Sequence, residues 1–383
     1  MEAKGISELL YQGTGGYVWA KRVTHNEKQG ALLYYGNPDS RKLHAIDVQG
    51  MEELETGVAT LEATPGLDFC IFYGAYDPVH AGADITQFAG DPDFSAIKQH
   101  LYRGTDLDTR VKALWSKMRT VSIICGDRYG GSVEWPLFAE WAVADNHARI
   151  QFTEVHLGII PGWNGVLNSV LRTHPANARN MAQTGNPVDA VKMEKMGFTQ
   201  TTVENPAPPD RRKTPKEEWP AVWSAHAEIC QKRLLEAALE LATQTAAPRR
   251  ATGFRISTDE ELADEIRRRT DPGPYRSLRM QAEQELGRLD PETQADQVKE
   301  LSREFAAQLR RLGKPLAPKA VSAVASYVQR WSALPAEQLL KRWDEIGRAE
   351  ADLCDQLMRT EHRSIGVNAV LSRSPAERIP VFA

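Results

Sequence analysis

The sequence predicts an α/β protein in which ββα units stack into a spiral of sheets with helices outside, followed by a helical carboxy-terminal region. Three observations carry this. The order strand, strand, helix recurs from the amino terminus to about residue 152. Two apolar runs, residues 67–75 and 121–124, have the unbroken character of strands buried on both faces. From about residue 219 to 360 the apolar residues fall instead at helical spacing, as in Leu234, Leu235, Ala238, Leu239 and Leu241. A chain of 383 residues can bury a full core, and 42% hydrophobic with 26% charged residues is the balance of an ordinary globular protein. The net charge of −4 argues against nucleic acid or an anionic membrane surface as the main partner, because neutralising phosphates needs clustered Lys and Arg in excess.

In chain order, residues 17–23 and 31–35 are β-rich runs joined across Asn26 and Gly30, a hairpin opening. Residues 48–64 place Met51, Leu54, Val58 and Leu61 three to four apart, an amphipathic helix that Pro65 and Gly66 end. After the strand of residues 67–75 comes the small-residue segment 80–85. Small residues around a glycine after a strand mark either the close approach of a ligand to the backbone or a tight loop without one. Residues 91–118 alternate loop and helix over a stripe of Ile97, Leu101, Leu107, Val111, Leu114 and Met118. Then follow a strand at 121–124, a glycine turn at 126–132, a helix from 133 to about 144 and a short strand at 149–152. Residues 165–183 and 188–196 read as short helices interrupted by Pro175 and Pro187.

The composition shifts after Gly197. Residues 1–205 form the core, and 206–246 a proline- and charge-rich connector with its helix. Residues 247–312 are a block dense in Arg and Glu, and 313–383 are helical to near the end. The charged block has two readings, a coiled-coil hairpin or partner surface and a charged helical insertion lying on its own domain. The amino terminus does not read as a secretory signal, and no apolar run reaches the ~20 residues that a membrane span needs, so a cytoplasmic protein is expected. Cys70, Cys125, Cys230 and Cys354 lie far apart without a CxxC pair, which predicts neither a disulfide framework nor a metal site.

Two carboxylates stand around the glycine turn. Glu134 follows Gly130, Gly131 and Ser132 where a helix begins, and Glu154 lies in the next apolar segment. Brought together over free backbone amides, two acids push their pKa values apart, one protonated and one ionised, which supplies an acid and a base in one site. The bland readings are a helix-start acid favoured by the macrodipole for Glu134 and a surface residue between strands for Glu154. His80 and His156 are proton carriers or satisfied structural histidines. Trp163 is a pocket wall or a core residue, and Tyr129 and Trp135 flank the turn as candidate aromatic walls.

The words HAGADI (His80 to Ile85), GDRYGGSVE (Gly126 to Glu134) and FTEVHLGIIPG (Phe152 to Gly162), with TEHRSIGVNAVLSRSPAERIPVF near the end, resemble the crotonase, or enoyl-CoA hydratase/isomerase, superfamily. The likeness covers residues 16–205 and resumes over 313–383. It implies a crotonase-like spiral of ββα repeats, a homotrimer or dimer of trimers assembled through residues 313–383, and an acyl-CoA thioester as substrate. Coenzyme A would enter with that substrate, with no separate cofactor. It further implies an oxyanion hole from the N–H groups of Ala83 and Gly131, catalysis by Glu134 and Glu154, and CoA contacts from His80, Ala81, Asp84 and Ile85. Gly162 would help to hold the water, and Trp163 and Tyr129 would shape the acyl pocket, to suit a cyclic or otherwise unusual acyl group. Acids at both glutamate positions match the members that hydrate a 2,3-double bond. Ser132, Thr153, Trp163 and Asn164 depart from the family's usual glycine, proline and small residues. The same scaffold also serves isomerases, ring-opening and thioester hydrolases, and a non-catalytic acyl-CoA-binding subunit is a further alternative.

Overall fold

The structure is a computed structural model that describes residues 6–39, 43–84, 86, 94–244 and 253–382. Strands β1 (Ile6–Gln12), β2 (Val18–His25), β3 (Lys28–Tyr35), β4 (Phe69–Gly74), β6 (Arg119–Ile124), β8 (Trp141–Asp145) and β11 (Thr201–Val203) form a seven-stranded sheet in the order β1-β2-β3-β4-β6-β8-β11. The short strands β5 (Val79–His80), β7 (Asp127–Tyr129), β9 (Arg149–Gln151) and β10 (Val188–Asp189) form a second sheet, in the order β10-β9-β7-β5. Each of three successive turns of chain gives one strand to the large sheet and then one to the small sheet: β4 and β5, β6 and β7, β8 and β9. This is the expected spiral, and β3 to β11 run parallel while β1 to β3 form an antiparallel meander.

Strand β4 shows why these runs are unbroken. Its even residues, Cys70 and Phe72, join the core cluster that includes Leu54, Val58 and Leu61 of helix Val48–Ala63 and Leu107 and Val111 of helix Ser95–Leu114. Its odd residues, Phe69, Ile71 and Tyr73, join Leu234, Leu235 and Ala238 of helix Trp219–Thr243 on the opposite face. Both faces are covered, so neither set can be polar.

Two expectations are corrected. The helix after the glycine turn does not reach residue 144: it is one α-turn, Gly131–Glu134, and one 3-10 turn, Trp135–Phe138, and Trp141–Asp145 is strand β8. Pro136 removes an N–H from the would-be helix, and the apolar run beyond it pairs with β6 and β11. Strand β1, absent from the sequence reading, is an edge strand with irregular register and Leu9 53% exposed, so it lacks a buried-strand signature.

The helices of the charged block pack on their own chain. Helix Asp259–Thr270 presents Arg269, which donates to Asn186 Oδ1 (2.9 Å) and to the Lys314 carbonyl (2.8 Å). Helices Pro272–Leu286 and Ala295–Leu312 enclose a small separate cluster of Tyr275, Leu278, Ala282 and Phe305 with Ala376 and Ile379. Among the described residues no helix is long and apolar enough to cross a membrane.

The interior also holds a buried ion pair. Lys112 Nζ donates to Asp108 Oδ1 (2.8 Å), Asn168 Oδ1 (2.8 Å) and the Phe138 carbonyl (3.0 Å). Asp108 Oδ2 accepts from Asn164, Asn168 and the Trp343 indole. Removing one partner leaves a buried charge uncompensated. Lys112→Met is therefore expected to cost ~3–5 kcal/mol of stability, read from the shift of the urea midpoint at constant slope. A loss below ~1 kcal/mol would show that the three donors to Asp108 suffice without the cation.

Candidate active site

The site forms where the segment after β4 meets the turn after β7. Ile46 N–H donates to the Gly82 carbonyl (3.0 Å), Asp84 N–H to the Ile46 carbonyl (3.2 Å) and Ala81 N–H to the Leu43 carbonyl (2.9 Å). That register leaves the N–H of Ala83 without an acceptor among the described residues. Gly131 opens its helical turn, so its N–H has no acceptor one turn back either. The two segments touch backbone to backbone: a Cβ on Gly82 would lie 2.5 Å from Gly131 N and 2.8 Å from the Tyr129 carbonyl oxygen. Only glycine fits there. Ser132 fastens the junction, its hydroxyl accepting from Tyr129 N–H (2.9 Å) and donating to the His80 carbonyl (2.8 Å). This departure from the family's third glycine thus has a structural task.

Ala83 and Gly131 border a cavity of about 420 Å3, which Ala81, Tyr129, Glu134, Glu154, Gly162 and Trp163 also line. The N–H of Gly162 has no acceptor among the described residues. Trp163 is both core and wall. It is 2% exposed, its indole N–H donates to the His100 carbonyl (3.2 Å), and its ring meets the His100 ring edge-on at 4.9 Å. A Cβ on Gly131 would come within 2.4 Å of this ring, and one on Gly104 within 2.2 Å, so the indole is wedged beneath the glycine turn. Trp135 is no part of the wall; it packs on Phe72 and Phe138.

Glu134 is 3% and Glu154 7% exposed. Glu134 Oε1 accepts the N–H groups of Trp163 (2.8 Å) and Gly165 (2.9 Å), at the start of helix Gly165–Arg172. Glu154 opens the 3-10 turn Glu154–Leu157, and its Oε2 is buried with no hydrogen-bond partner. Neither carboxyl forms an ion pair with a described residue. Burial, and then the neighbouring Glu154, push Glu134 well above the usual carboxylate range, against the pull of its two backbone N–H bonds. Burial pushes Glu154 up to about 8.

A third buried carboxyl, Glu350, escapes sequence reading. It is fully buried on helix Trp343–Met358 and accepts Val166 N–H (3.0 Å) and Leu167 N–H (2.9 Å). The available signal is its position in the buried stripe of Trp343, Ile346, Gly347, Cys354 and Leu357, where an acid needs a partner. Other members of the expected set lie elsewhere. His80 turns from the cavity toward Cys125 (4.0 Å) and the His44 ring, and burial holds it well below its usual pKa. Asp84 accepts from the N–H and hydroxyl of Thr86 and does not line the cavity. His156 lines it, but its Nδ1 donates to the Pro315 carbonyl (3.0 Å) and burial lowers its pKa to about 3, so it is a neutral anchor. Ile85 lies outside the described residues.

The raised Glu154 pKa has a signed consequence. The folded chain keeps this proton up to about pH 8, whereas the unfolded chain releases it near 4.5. Its contribution to stability is therefore full below pH ~4.5 and is lost as pH rises through about 8, at up to ~1.4 kcal/mol per pH unit. Thermal unfolding from pH 5 to 9 should fall less steeply for Glu154→Gln than for the wild type, and equal slopes would mean that Glu154 ionises normally.

The sequence model described as enoyl-CoA hydratase/isomerase matches residues 37–255, more than half of the chain. A fatty acid oxidation complex subunit alpha from Psychrobacter cryohalolentis is 28% identical over 197 residues, 51% of this chain and 26% of that protein. A probable enoyl-CoA hydratase from Mycobacterium tuberculosis is 25% identical over 186 residues, 47% of this chain and 68% of that one. An ethylmalonyl-CoA decarboxylase from Xenopus tropicalis is 27% identical over 202 residues, 48% of this chain and 64% of that one. Thus the chain spans between a quarter and about two thirds of these relatives. A carnitinyl-CoA dehydratase structure from Mycobacterium thermoresistibile covers 92% of this chain and 94% of its own at a TM-score of 0.53 and 16% identity, a likeness of fold. With the family's pattern matched over most of the sheet-forming half, the chain belongs to the enoyl-CoA hydratase/isomerase family of the crotonase superfamily.

Proposed function

We propose that the protein adds water to the 2,3-double bond of an enoyl-CoA thioester, or removes it in the reverse direction. One observation carries the reading: two buried carboxyls with different hydrogen-bond environments share a mainly apolar cavity with two backbone N–H groups that have no acceptor among the described residues. In this reading the thioester oxygen accepts from Ala83 N–H and Gly131 N–H. Water attacks C3, negative charge moves through C2 onto that oxygen, and preorganised donors stabilise it without reorganisation. Coenzyme A arrives as part of the substrate, and no further cofactor takes part.

The environments divide the labour. Burial raises both carboxyls; two backbone N–H donors on one oxygen oppose that rise for Glu134, and in this reading Glu134, as the anion, takes the proton from the attacking water. Glu154 has a buried oxygen without a hydrogen-bond partner, which favours the neutral acid, and in this reading it delivers its proton to C2. Net addition is one water, and the proton left on Glu134 returns to Glu154 through solvent. Gly162 N–H is available to orient the water, and Tyr129 and Trp163 shape the acyl end. Lys314 and Arg363 add cationic groups to the lining, of the sign that CoA phosphates need.

Loss of the conjugated thioester absorbance on incubation with 2-enoyl-CoA esters tests this. Glu134→Gln and Glu154→Gln should each lower kcat by ~10²–10⁴ with little change in KM. A loss under tenfold in both would sink the two-carboxyl mechanism. Mass spectrometry should find the hydrated ester with CoA retained, and free CoA would point to thioester hydrolysis instead.

A further inference from the structure

The amino-terminal end of helix Gly165–Arg172 holds two carboxyls, not one. Trp163 and Gly165 donate their N–H groups to Glu134, and Val166 and Leu167 donate theirs to Glu350, so four amides at one helix start are divided between the two side chains. The acids reach this point from opposite sides, Glu134 from the turn Gly131–Glu134 and Glu350 from helix Trp343–Met358. We propose that Glu350 is a positioning residue for Glu134: by sharing that helix end it orients the Glu134 carboxyl toward the cavity and sets its proton affinity. The inference deepens the hydratase reading and rests on it for its kinetic arm alone.

The surroundings leave the two carboxyls to answer each other. Glu134 faces Glu350 from the glycine turn, and Glu154 lies beyond it. Tyr327 faces it from helix Pro318–Trp331, its hydroxyl donating to the Ile346 carbonyl (3.0 Å) and also acting as a hydrogen-bond partner of the Glu350 carboxyl that favours its anion, and Cys354 lies one turn along its own helix. Asp108, on helix Ser95–Leu114, acts on Glu134 and Tyr327, but its charge is matched by Lys112. Neither Glu134 nor Glu350 has an ion-pair partner among the described residues. With no cation to take up the charge, an ionised Glu134 raises Glu350 across the shared helix end, and the coupling free energy of such a pair is the same in both directions.

Infrared titration of buried protonated carboxyls in the free enzyme measures this without turnover. The band that Glu134→Gln removes should titrate about one pH unit or more lower in Glu350→Gln than in the wild type. The band that Glu350→Gln removes should likewise move down in Glu134→Gln, which keeps the test available if Glu350→Gln does not fold. The pH profile of kcat on a 2-enoyl-CoA should shift by the same amount in Glu350→Gln, with KM unchanged. Unmoved midpoints, or a uniform loss of kcat at every pH, would reduce Glu350 to a helix cap and overturn the proposal. Coupled midpoints in an enzyme that turns over no enoyl-CoA would instead fail the hydratase reading and leave this one standing.

Discussion

The site depends on one close approach, that of Gly82 to the amide of Gly131. No side chain can stand between the two segments, so their backbones meet directly, and Ala83 and Gly131, whose N–H groups have no acceptor among the described residues, border one cavity. Much of the surrounding construction serves this meeting. Strands β5, β7 and β9 run parallel and short, which brings the ends of three turns of the spiral side by side. Ser132 ties the turn to the His80 carbonyl, and Arg128 holds both the Cys125 and Ser132 carbonyls from below. Trp163 fills the space that missing side chains at Gly104 and Gly131 leave open, so the turn is supported by a rigid ring anchored through its own N–H.

Burial then sets the electrostatics. Glu134, Glu154 and Glu350 are all withdrawn from water, and the buried cation Lys112 is committed to Asp108. Desolvation without a counter-charge favours the neutral acid, whereas N–H donors favour the anion. Helix Gly165–Arg172 supplies such donors to two of the three, and Glu154 receives none at Oε2. The site thereby differentiates chemically identical side chains by backbone geometry.

Which parts were legible in the sequence follows from which signals are local. Strands β4 and β6 declare themselves because covering both faces demands continuous apolar residues. Trp141–Asp145 does not, since only Glu140 interrupts the apolar run that joins it to the turn Trp135–Phe138, and only pairing with β6 and β11 makes it a strand. The glycine turn, Glu134 and Glu154 are written in short motifs because their geometry is local. The direction of His80 is not: β5 alternates, so Val79 lines the cavity and His80 faces the other way. Glu350 had no motif to announce it, because its partners are the backbone amides of a helix distant in the chain.

That last point bears on the helical carboxy-terminal region as a whole. One face of helix Trp343–Met358 delivers Trp343 to Asp108, Glu350 to the helix start, Cys354 to the Ile160 carbonyl and Met358 to the cavity wall. Helix Glu361–Leu371 adds Val367 and Val370 to the same wall, and His156 is anchored on Pro315. The sheet-forming half thus supplies the amides and two carboxyls, and the helical half closes the cavity around them. Because the desolvation that raises the Glu134 and Glu154 pKa values needs that closure, the acid–base properties of the site belong to both halves together. A spiral core alone would hold the same residues around a wetter cavity, with its carboxyls nearer their ordinary proton affinities.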